Sequence, residues 1–301
     1  MQVDFLAIGE LLADVMTAEF MPDLSEARKF EIYQGGSPAN VSANLCHMGK
    51  KAVFIGCVGN DGIGKFLLKQ LTDIGLNESH VQISDRHATS VVFVTRTTET
   101  PEFIAYRMAD RFVQKPSKEL IQSARILHTT AFALSLQPAR DVILNAIKTA
   151  KKGGKVISID WNFAPEIWGK DNGKSVFKAV MLSNPLLKIS LDDLARFLGE
   201  KNIDEYKTYL DRFACTVICI TCGKDGVWYK KRGKKWKFMN TIAVEQVVDT
   251  TGAGDAFWAG FIAAYLDDSE VGGCINNALQ TAAEKIQRKG PLYNICQEIT
   301  S

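Results

Sequence analysis

Val248-Asp249-Thr250-Thr251-Gly252-Ala253-Gly254-Asp255-Ala256-Phe257 joins a β-branched, strand-like run at 242–248 to an apolar helical run at 256–266. Gly252 and Gly254 let the backbone approach a bound group with no Cβ in the way. Because the turn opens a helix, unpaired N–H groups and the positive end of the helix dipole face outward and form an anion site. An acid beside an anion site needs a reason. A carboxylate next to a phosphate cradle can accept the proton of an attacking hydroxyl, which is the base role in phosphoryl transfer. The plainer alternative is a glycine turn with Asp255 as a first-turn helix acid, which the dipole also favours.

A second glycine pair lies in Tyr33-Gln34-Gly35-Gly36-Ser37-Pro38-Ala39-Asn40. Ser37 suits an N-cap and Pro38 the first helical position. The two glycines let backbone N–H groups face a ligand, and Asn40 on the first turn carries an amide able to bond hydroxyls. An ordinary capped helix start accounts for the same residues equally well when they are taken alone.

Around these motifs, strand patterns at 3–8, 52–58, 126–129, 155–159 and 216–221 alternate with helical periods at 37–48, 66–74, 138–150 and 191–198. Such alternation predicts a mostly parallel sheet covered on both faces. Two segments break the rhythm, 17–33 and 88–113. The second alternates (Val92, Val94, then Phe103, Ala105) around the turn material Thr97-Thr98-Glu99-Thr100-Pro101, a hairpin with no helix after it. The expectation is one 301-residue domain with a small sheet over one edge, a lid built from about 14–34 and 88–113.

Composition sets outer bounds. With 46% hydrophobic and 23% charged residues the chain is ordinary globular material, and a formal charge of +2 implies no broad basic face for nucleic acid. Basic clusters at 230–237 and Lys151-Lys152 suit a solvated hairpin and a helix end. No basic region precedes a long apolar run at the start, and the apolar stretch at 256–266 is far short of the ~20 residues that span a bilayer. A cytoplasmic location and no membrane partner are expected. Seven cysteines, an odd number, favour free thiols in a reducing compartment. Cys219 and Cys222 look like a metal or redox pair, but residues three apart on a strand point to opposite faces. His47, His80, His87 and His128 show no metal or triad spacing.

Two further motifs are decoys. Gly59-Asn60-Asp61-Gly62-Ile63-Gly64-Lys65-Phe66 matches a P-loop pattern, but Phe66 stands where the Mg²⁺-binding Ser/Thr belongs. Gly252-Ala253-Gly254 begins like a dinucleotide fingerprint, yet Phe257 occupies the third small position.

The two glycine motifs together resemble the PfkB/ribokinase family of carbohydrate kinases, the first in Gly35-Gly36-Ser37-Pro38-Ala39-Asn40-Val41-Ser42-Ala43-Asn44 and the second in residues 249–257. Lesser landmarks recur in order: Ile8-Gly9-Glu10 with Asp14, then Gly59, Asp61 and Gly64, then Thr221-Cys222-Gly223-Lys224-Asp225-Gly226. The resemblance covers nearly the whole chain and implies a ribokinase-like three-layer α/β/α sandwich with a small β-sheet lid. It implies that Asp14, Gly35, Gly36 and Asn40 hold sugar hydroxyls, with Arg107 reaching substrate as in some branches. Asp255 would be the base, and Gly252, Ala253 and Gly254 the anion hole. Thr221, Gly223, Gly226 and Asn277 would border ATP, and Asp193 would serve Mg²⁺ and phosphate. Asp249 and Thr251 would bind a monovalent cation such as K⁺.

Two departures bear on chemistry. The family's Asn-x-x-Glu element reads Ser190-Leu191-Asp192-Asp193 here, with a shorter acid and no amide. Its fructokinase-like Asp-x-Asn-x-Arg reads Asp160-Trp161-Asn162-Phe163-Ala164. An arginine at 164 would suit an acidic sugar, because its fork pairs with carboxylate; without it a neutral sugar is favoured. No cluster of arginines marks the sugar side, which argues against a phosphosugar. The expected activity is transfer of the γ-phosphoryl of ATP to a primary hydroxyl of a neutral sugar, fructose first. Ribokinase, 2-keto-3-deoxygluconate kinase and nucleoside kinase are rivals within the class. A non-catalytic sugar or nucleotide sensor is the rival outside it. Open lid edges make a homodimer the expected assembly.

Overall fold

The computed structural model describes residues 2–97, 102–288 and 290. Its strands are β1 (Val3–Ile8), β2 (Leu12–Phe20), β3 (Phe30–Gly35), β4 (Ala52–Gly59), β5 (Val81–Ser84), β6 (Val91–Arg96), β7 (Phe103–Tyr106), β8 (Ala124–Thr130), β9 (Val156–Asp160), β10 (Leu186–Ser190), β11 (Val217–Thr221), β12 (Gly226–Lys231) and β13 (Lys237–Asn240). Nine of them form one sheet in the order β13-β12-β11-β10-β9-β8-β1-β4-β5. Strands β5 to β11 of that sheet run parallel, and β12 and β13 close one edge as antiparallel partners.

The parallel strands are nearly continuous apolar runs, because helices cover both of their faces. One core packs the helices Ala139–Lys152, Lys174–Met181, Leu191–Leu198 and Ile203–Leu210 through Ile143, Phe177, Phe197 and Leu210. The other packs Ser37–His47, Gly62–Asp73, Ala253–Leu266 and Val271–Ile286 through Leu45, Leu67, Trp258 and Ile275. Helix Ala253–Leu266 is apolar on every side and buries nine of its residues, as a helix enclosed within a core must. Trp258 fixes it to the sheet, its indole N–H donating to Ser158 Oγ on β9 at 2.9 Å.

The chain enters the sheet in the middle. It builds outward through β4 and β5, then returns to the other side of β1 through β8, β9, β10 and β11. The order reverses between β1 and β8, and a ligand crevice in an open α/β sheet forms outside the carboxyl ends of the strands at such a switch. Glu10, Thr130, Asp160 and Thr221 lie at or just beyond those ends, and Lys188 lies two residues before the end of β10.

The second sheet, in the order β3-β2-β6-β7, overlaps the two segments that broke the helix–strand alternation, though β2 begins at Leu12, five residues ahead of the first of them. Its β2–β6 pair is parallel and its β2–β3 and β6–β7 pairs antiparallel. Except for Thr97, the turn expected at 97–101 lies outside the described residues.

Two sequence expectations need correction. Residues 242–248 are not a strand but irregular chain, with Val247 and Val248 exposed. β-branched residues made the run look extended, yet the chain leaves the sheet after β13 and no neighbouring strand pairs with it. Conversely, Leu186–Ser190 is a central strand that the apolar pattern did not reveal, because Lys188 interrupts it. Among the described residues no helix is long and apolar enough to cross a membrane.

Candidate active site

Gly252 takes the left-handed conformation, φ 75°, and ends the irregular chain just before helix Ala253–Leu266. The first N–H groups of a helix have no intrahelical acceptor. Gly254 is exposed and Gly252 and Ala253 are half-buried, so the turn can be reached from solvent.

The other glycine motif arrives at the same point. Ser37 Oγ donates to Asp255 Oδ1 at 2.6 Å, and Asn40 Nδ2 donates to Asp255 Oδ2 at 2.9 Å. Gly36, with φ 102°, fills the N-cap position of helix Ser37–His47, so Ser37 is its first residue and its hydroxyl serves Asp255 instead of capping the helix. The glycine pair also has a use that the sequence did not suggest. A Cβ on Gly35 would lie 2.5 Å from the Asp14 carboxyl, and one on Gly36 would lie 2.4 Å from Glu10 O. The pair makes room for an acid on β2 and for the chain just after β1.

Charge is concentrated here. Burial pushes the Asp255 carboxyl above the ordinary aspartate value, with Asp160 adding to the rise; Ser37, Asn40 and Lys188 oppose it. Burial, then the charge of Asp255, pushes Asp14 up to about 7. Two carboxylates near one another without enough cation describe a site that awaits a partner for its protons or charge.

Lys188, overlooked in the sequence, is the cation of this site. Its ammonium lies 2.7 Å from Asp160 Oδ2, and a Cβ on Gly254 would lie 3.2 Å from Lys188 Nζ. Burial alone would lower its pKa, but Asp160, Asp255 and Asp193 together hold it above the ordinary lysine value. A positive charge thus stands beside the anion turn. The only sequence signal was a lone lysine in an apolar run, which also fits a surface strand end. Asp160 spends one oxygen on Lys188, and its buried Oδ1 has no hydrogen-bond partner among the described residues.

Glu10, a landmark in the sequence with no role attached to it there, also belongs to the site. Its Oε1 accepts from Ser37 N at 3.2 Å and its Oε2 from Thr130 Oγ1 at 2.9 Å, tying the start of the Asp255-binding helix to β1 and β8. Burial pushes its carboxyl up to about 8, only partly offset by hydrogen bonds and by Arg107.

Asp193 closes a capping box with Ser190 on helix Leu191–Leu198 and meets Arg196 at 3.3 Å. Burial pushes it up to about 6, with the Asp160 charge contributing. Thr221 ends β11, and Gly223 (φ 53°) and Gly226 (φ 130°) shape the link to β12. A Cβ on Gly226 would lie 2.2 Å from Met239 O, so this glycine is required by the β12–β13 pairing whatever else it does. Ala164 is buried in the core beside Phe163 and Trp168.

Other residues are committed elsewhere. The Arg107 guanidinium is held in a buried pair with Asp110, 2.7 Å from Nε, and also donates to Phe132 O and Ser135 Oγ. Asn277 donates to Gly260 O at 2.7 Å where two helices cross, and it lines a groove with His47, Lys50, Asp267 and Glu284, none of them a site candidate. Asp61 caps helix Gly62–Asp73 through Gly64 N and holds Thr89 near the root of the lid, so the P-loop lookalike is a structural corner. His128 is buried on β8 against Ser158, its ring pushed down to about 3 by burial and by Lys188. Among the described residues the six cysteines are free thiols, and no group of three or more His, Cys, Asp or Glu side chains could hold a metal.

A carboxylate joined to hydroxyl and amide donors on one side, with a glycine turn and an ammonium on the other, is suited to moving a phosphoryl group onto an alcohol. The fold and this site define a phosphotransferase that acts on a sugar. The chain belongs to the pfkB family of carbohydrate kinases, whose model matches residues 4–297. It is 33% identical over 296 residues, 97% of this chain and 90% of its relative, to an ATP-dependent 6-phosphofructokinase of Thermoanaerobacterium thermosaccharolyticum. It is 30% identical over 280 residues, 88% of this chain and 82% of that relative, to a 5-dehydro-2-deoxygluconokinase of Geobacillus kaustophilus. The structure of Halothermothrix orenii fructokinase superimposes with a TM-score of 0.83 at 29% identity, covering 93% of this chain and 98% of that one.

Proposed function

We propose that this kinase transfers the γ-phosphoryl of ATP to a primary hydroxyl of a neutral sugar, with fructose as the leading acceptor. The observation that carries the proposal is Asp255 itself, bonded to Ser37 and Asn40 on the sugar side and one residue from the Gly254 turn beside Lys188. ATP as donor is supported by the ATP-dependent relative. Against a charged acceptor, Arg107 is paired with Asp110 and Arg96 with Glu31 at 2.8 Å; Arg111, whose buried Nε has no hydrogen-bond partner among the described residues, is a lid-region arginine that is not so committed. Residue 164 is a buried alanine.

In this mechanism a sugar hydroxyl takes a place among the donors now satisfying Asp255. The carboxylate accepts its proton as the sugar O–P bond forms and the bond from the γ-phosphorus to the β–γ bridging oxygen breaks, releasing ADP. Asp14 and Asn40 hold neighbouring hydroxyls. The N–H groups of the turn and the Lys188 ammonium stabilise charge on the phosphoryl oxygens. Holding both substrates in line supplies on the order of 7–11 kcal/mol of the barrier. Thr221, Gly223 and Gly226 border the nucleotide, and the lid sheet excludes water. The Mg²⁺ that accompanies ATP would be held largely by phosphates and water and would need one or two carboxylates; the partnerless Asp160 Oδ1 fits that need, whereas Asp193 would serve it only by giving up Ser190 or Arg196.

The phosphofructokinase relative favours a second reading, fructose 6-phosphate as acceptor. ADP release measured against fructose, fructose 6-phosphate, ribose, 2-keto-3-deoxygluconate, glucose and adenosine separates the two. Turnover with fructose well above the rest supports the proposal. Preference for fructose 6-phosphate replaces it, and no turnover with any acceptor favours a sensor.

Asp14 carries a pH signature. Its pKa rises from 3.8 to about 7 on folding, so between those values the folded chain binds a proton that the unfolded chain has released. Stability therefore falls as pH rises through that window. Asp14→Asn removes the titration. The expected result is a melting temperature a few degrees above wild type at pH 8, on the order of what one such group supplies, converging with wild type near pH 4. The variant should also bind sugar more weakly. A constant offset at all pH values would refute the assignment.

A homodimer through the lid belongs to the same proposal. The register Ile32↔Val15↔Phe93↔Ile104 puts these residues on the sheet face opposite Asp14. On that face Phe93 makes edge contacts with Phe30 and Tyr106, while Ile32 and Tyr106 remain 50% and 58% exposed. A contiguous apolar sheet face is an association surface. Ile32→Lys should convert a sedimenting dimer to monomer, and a wild-type monomer at micromolar concentration would dismiss the idea.

A further inference from the structure

The anion turn is held from behind by the end of helix Val271–Ile286. Val248 N and Asp249 N both donate to Ile286 O, at 2.7 and 3.2 Å. Gly290 N donates to Asp249 Oδ2 at 3.1 Å, and Thr251 N to Asp249 Oδ1 at 2.9 Å. Lys285 lies at the centre of this arrangement. Its ammonium donates to Asp249 O at 2.7 Å and stands 3.4 Å from Asp249 Oδ2, with 1% of the side chain exposed. Its stem passes behind the turn: a Cβ on Gly252 would lie 3.9 Å from Lys285 Cε.

Packing alone does not call for a lysine here. A buried ammonium is costly unless paired, and an apolar side chain of similar length would fill the space without that cost. What the ammonium adds is one positive charge on the backbone oxygen and the carboxylate of Asp249, three residues before Gly252.

This is the place where the family resemblance puts a monovalent cation, and the residues present do not fit one. All three Asp249 oxygens are engaged, the backbone oxygen by Lys285 itself. A soluble cation on that oxygen would sit beside an ammonium of the same sign, with strong repulsion at such range. We propose that Lys285 is a tethered replacement for the soluble cation. It orders the 249–252 turn from within the chain, so catalysis does not depend on K⁺. Lys285 is then a positioning residue. The inference rests on the phosphoryl-transfer reading of the turn.

The test compares the full chain in KCl and in tetramethylammonium chloride at equal ionic strength. Wild-type kcat with the accepted sugar should agree within about twofold between the two salts, while Lys285→Met loses roughly tenfold or more in kcat with sugar KM little changed. A K⁺-specific activation of wild type beyond that range overturns the proposal, as does a folded Lys285→Met variant with wild-type kcat. A second readout needs neither turnover nor a variant. With ADP bound, the wild-type melting temperature should be the same in both salts, and a K⁺-specific rise of several degrees, on the scale that binding linkage gives, overturns it. Should no sugar be phosphorylated, the function fails, while the melting comparison still decides whether the site takes K⁺.

Discussion

Asp255→Asn should lower kcat by roughly 10²–10⁴-fold, the range associated with a positioned general base. The substitution keeps the shape of the side chain and removes the one atom pair able to take a proton. Its amide can still satisfy both neighbours: the carbonyl oxygen accepts from Asn40 Nδ2, while its NH₂ donates to Ser37 Oγ. Sugar binding should therefore survive. Burial pushes the Asp255 carboxyl up in the folded chain, so the wild type loses some stability above the ordinary aspartate range, and the neutral amide should melt at the same temperature or higher at pH 8. Calorimetric sugar binding with single-turnover ADP release checks both halves. Turnover near wild type would remove Asp255 as base, and lost sugar binding would mean that its main work is to hold hydroxyls.

Lys188→Met should be nearly as damaging, for two separable reasons. The ammonium beside Gly254 is lost, at an expected cost of about 10²–10³-fold in kcat/KM for one missing stabiliser of developing charge. Asp160 is then left buried and unpaired, which should destabilise the fold by about 3–5 kcal/mol. Adding Asp160→Asn removes the stranded charge. The double variant should recover most of the melting temperature and none of the activity. Recovery of both would show that Lys188 serves the fold alone.

Much of the site was legible because its residues sit in short, contiguous motifs. Gly252 and Asp255 lie on one turn, and Gly35, Gly36 and Asn40 lie around one helix start. Local geometry fixes what such neighbours can do together: a glycine bend before a helix aims N–H groups outward in any fold. The alternation of apolar strand patterns with helical periods was likewise enough to specify a covered parallel sheet, and its failure at two segments marked the lid.

What the sequence could not reveal depends on partners far along the chain. Lys188 and Asp160 are 28 residues apart and meet only because β9 and β10 are adjacent in the sheet. Glu10 reaches Thr130 across 120 residues, and Lys285 reaches Asp249 across 36. A charged residue inside an apolar run has two meanings, a solvated strand end or a buried ion, and only its neighbour in space chooses between them. The same holds in reverse for 242–248, whose β-branched residues had strand propensity but found no strand to pair with. By itself, then, the sequence determined the layered α/β sheet with its lid, the two glycine turns and the acid at their meeting point, because these follow from local spacing and periodicity. Tertiary structure alone decided which buried charges complete the site, because a charge in a core is tolerated only where the fold brings its counter-charge within a few ångströms.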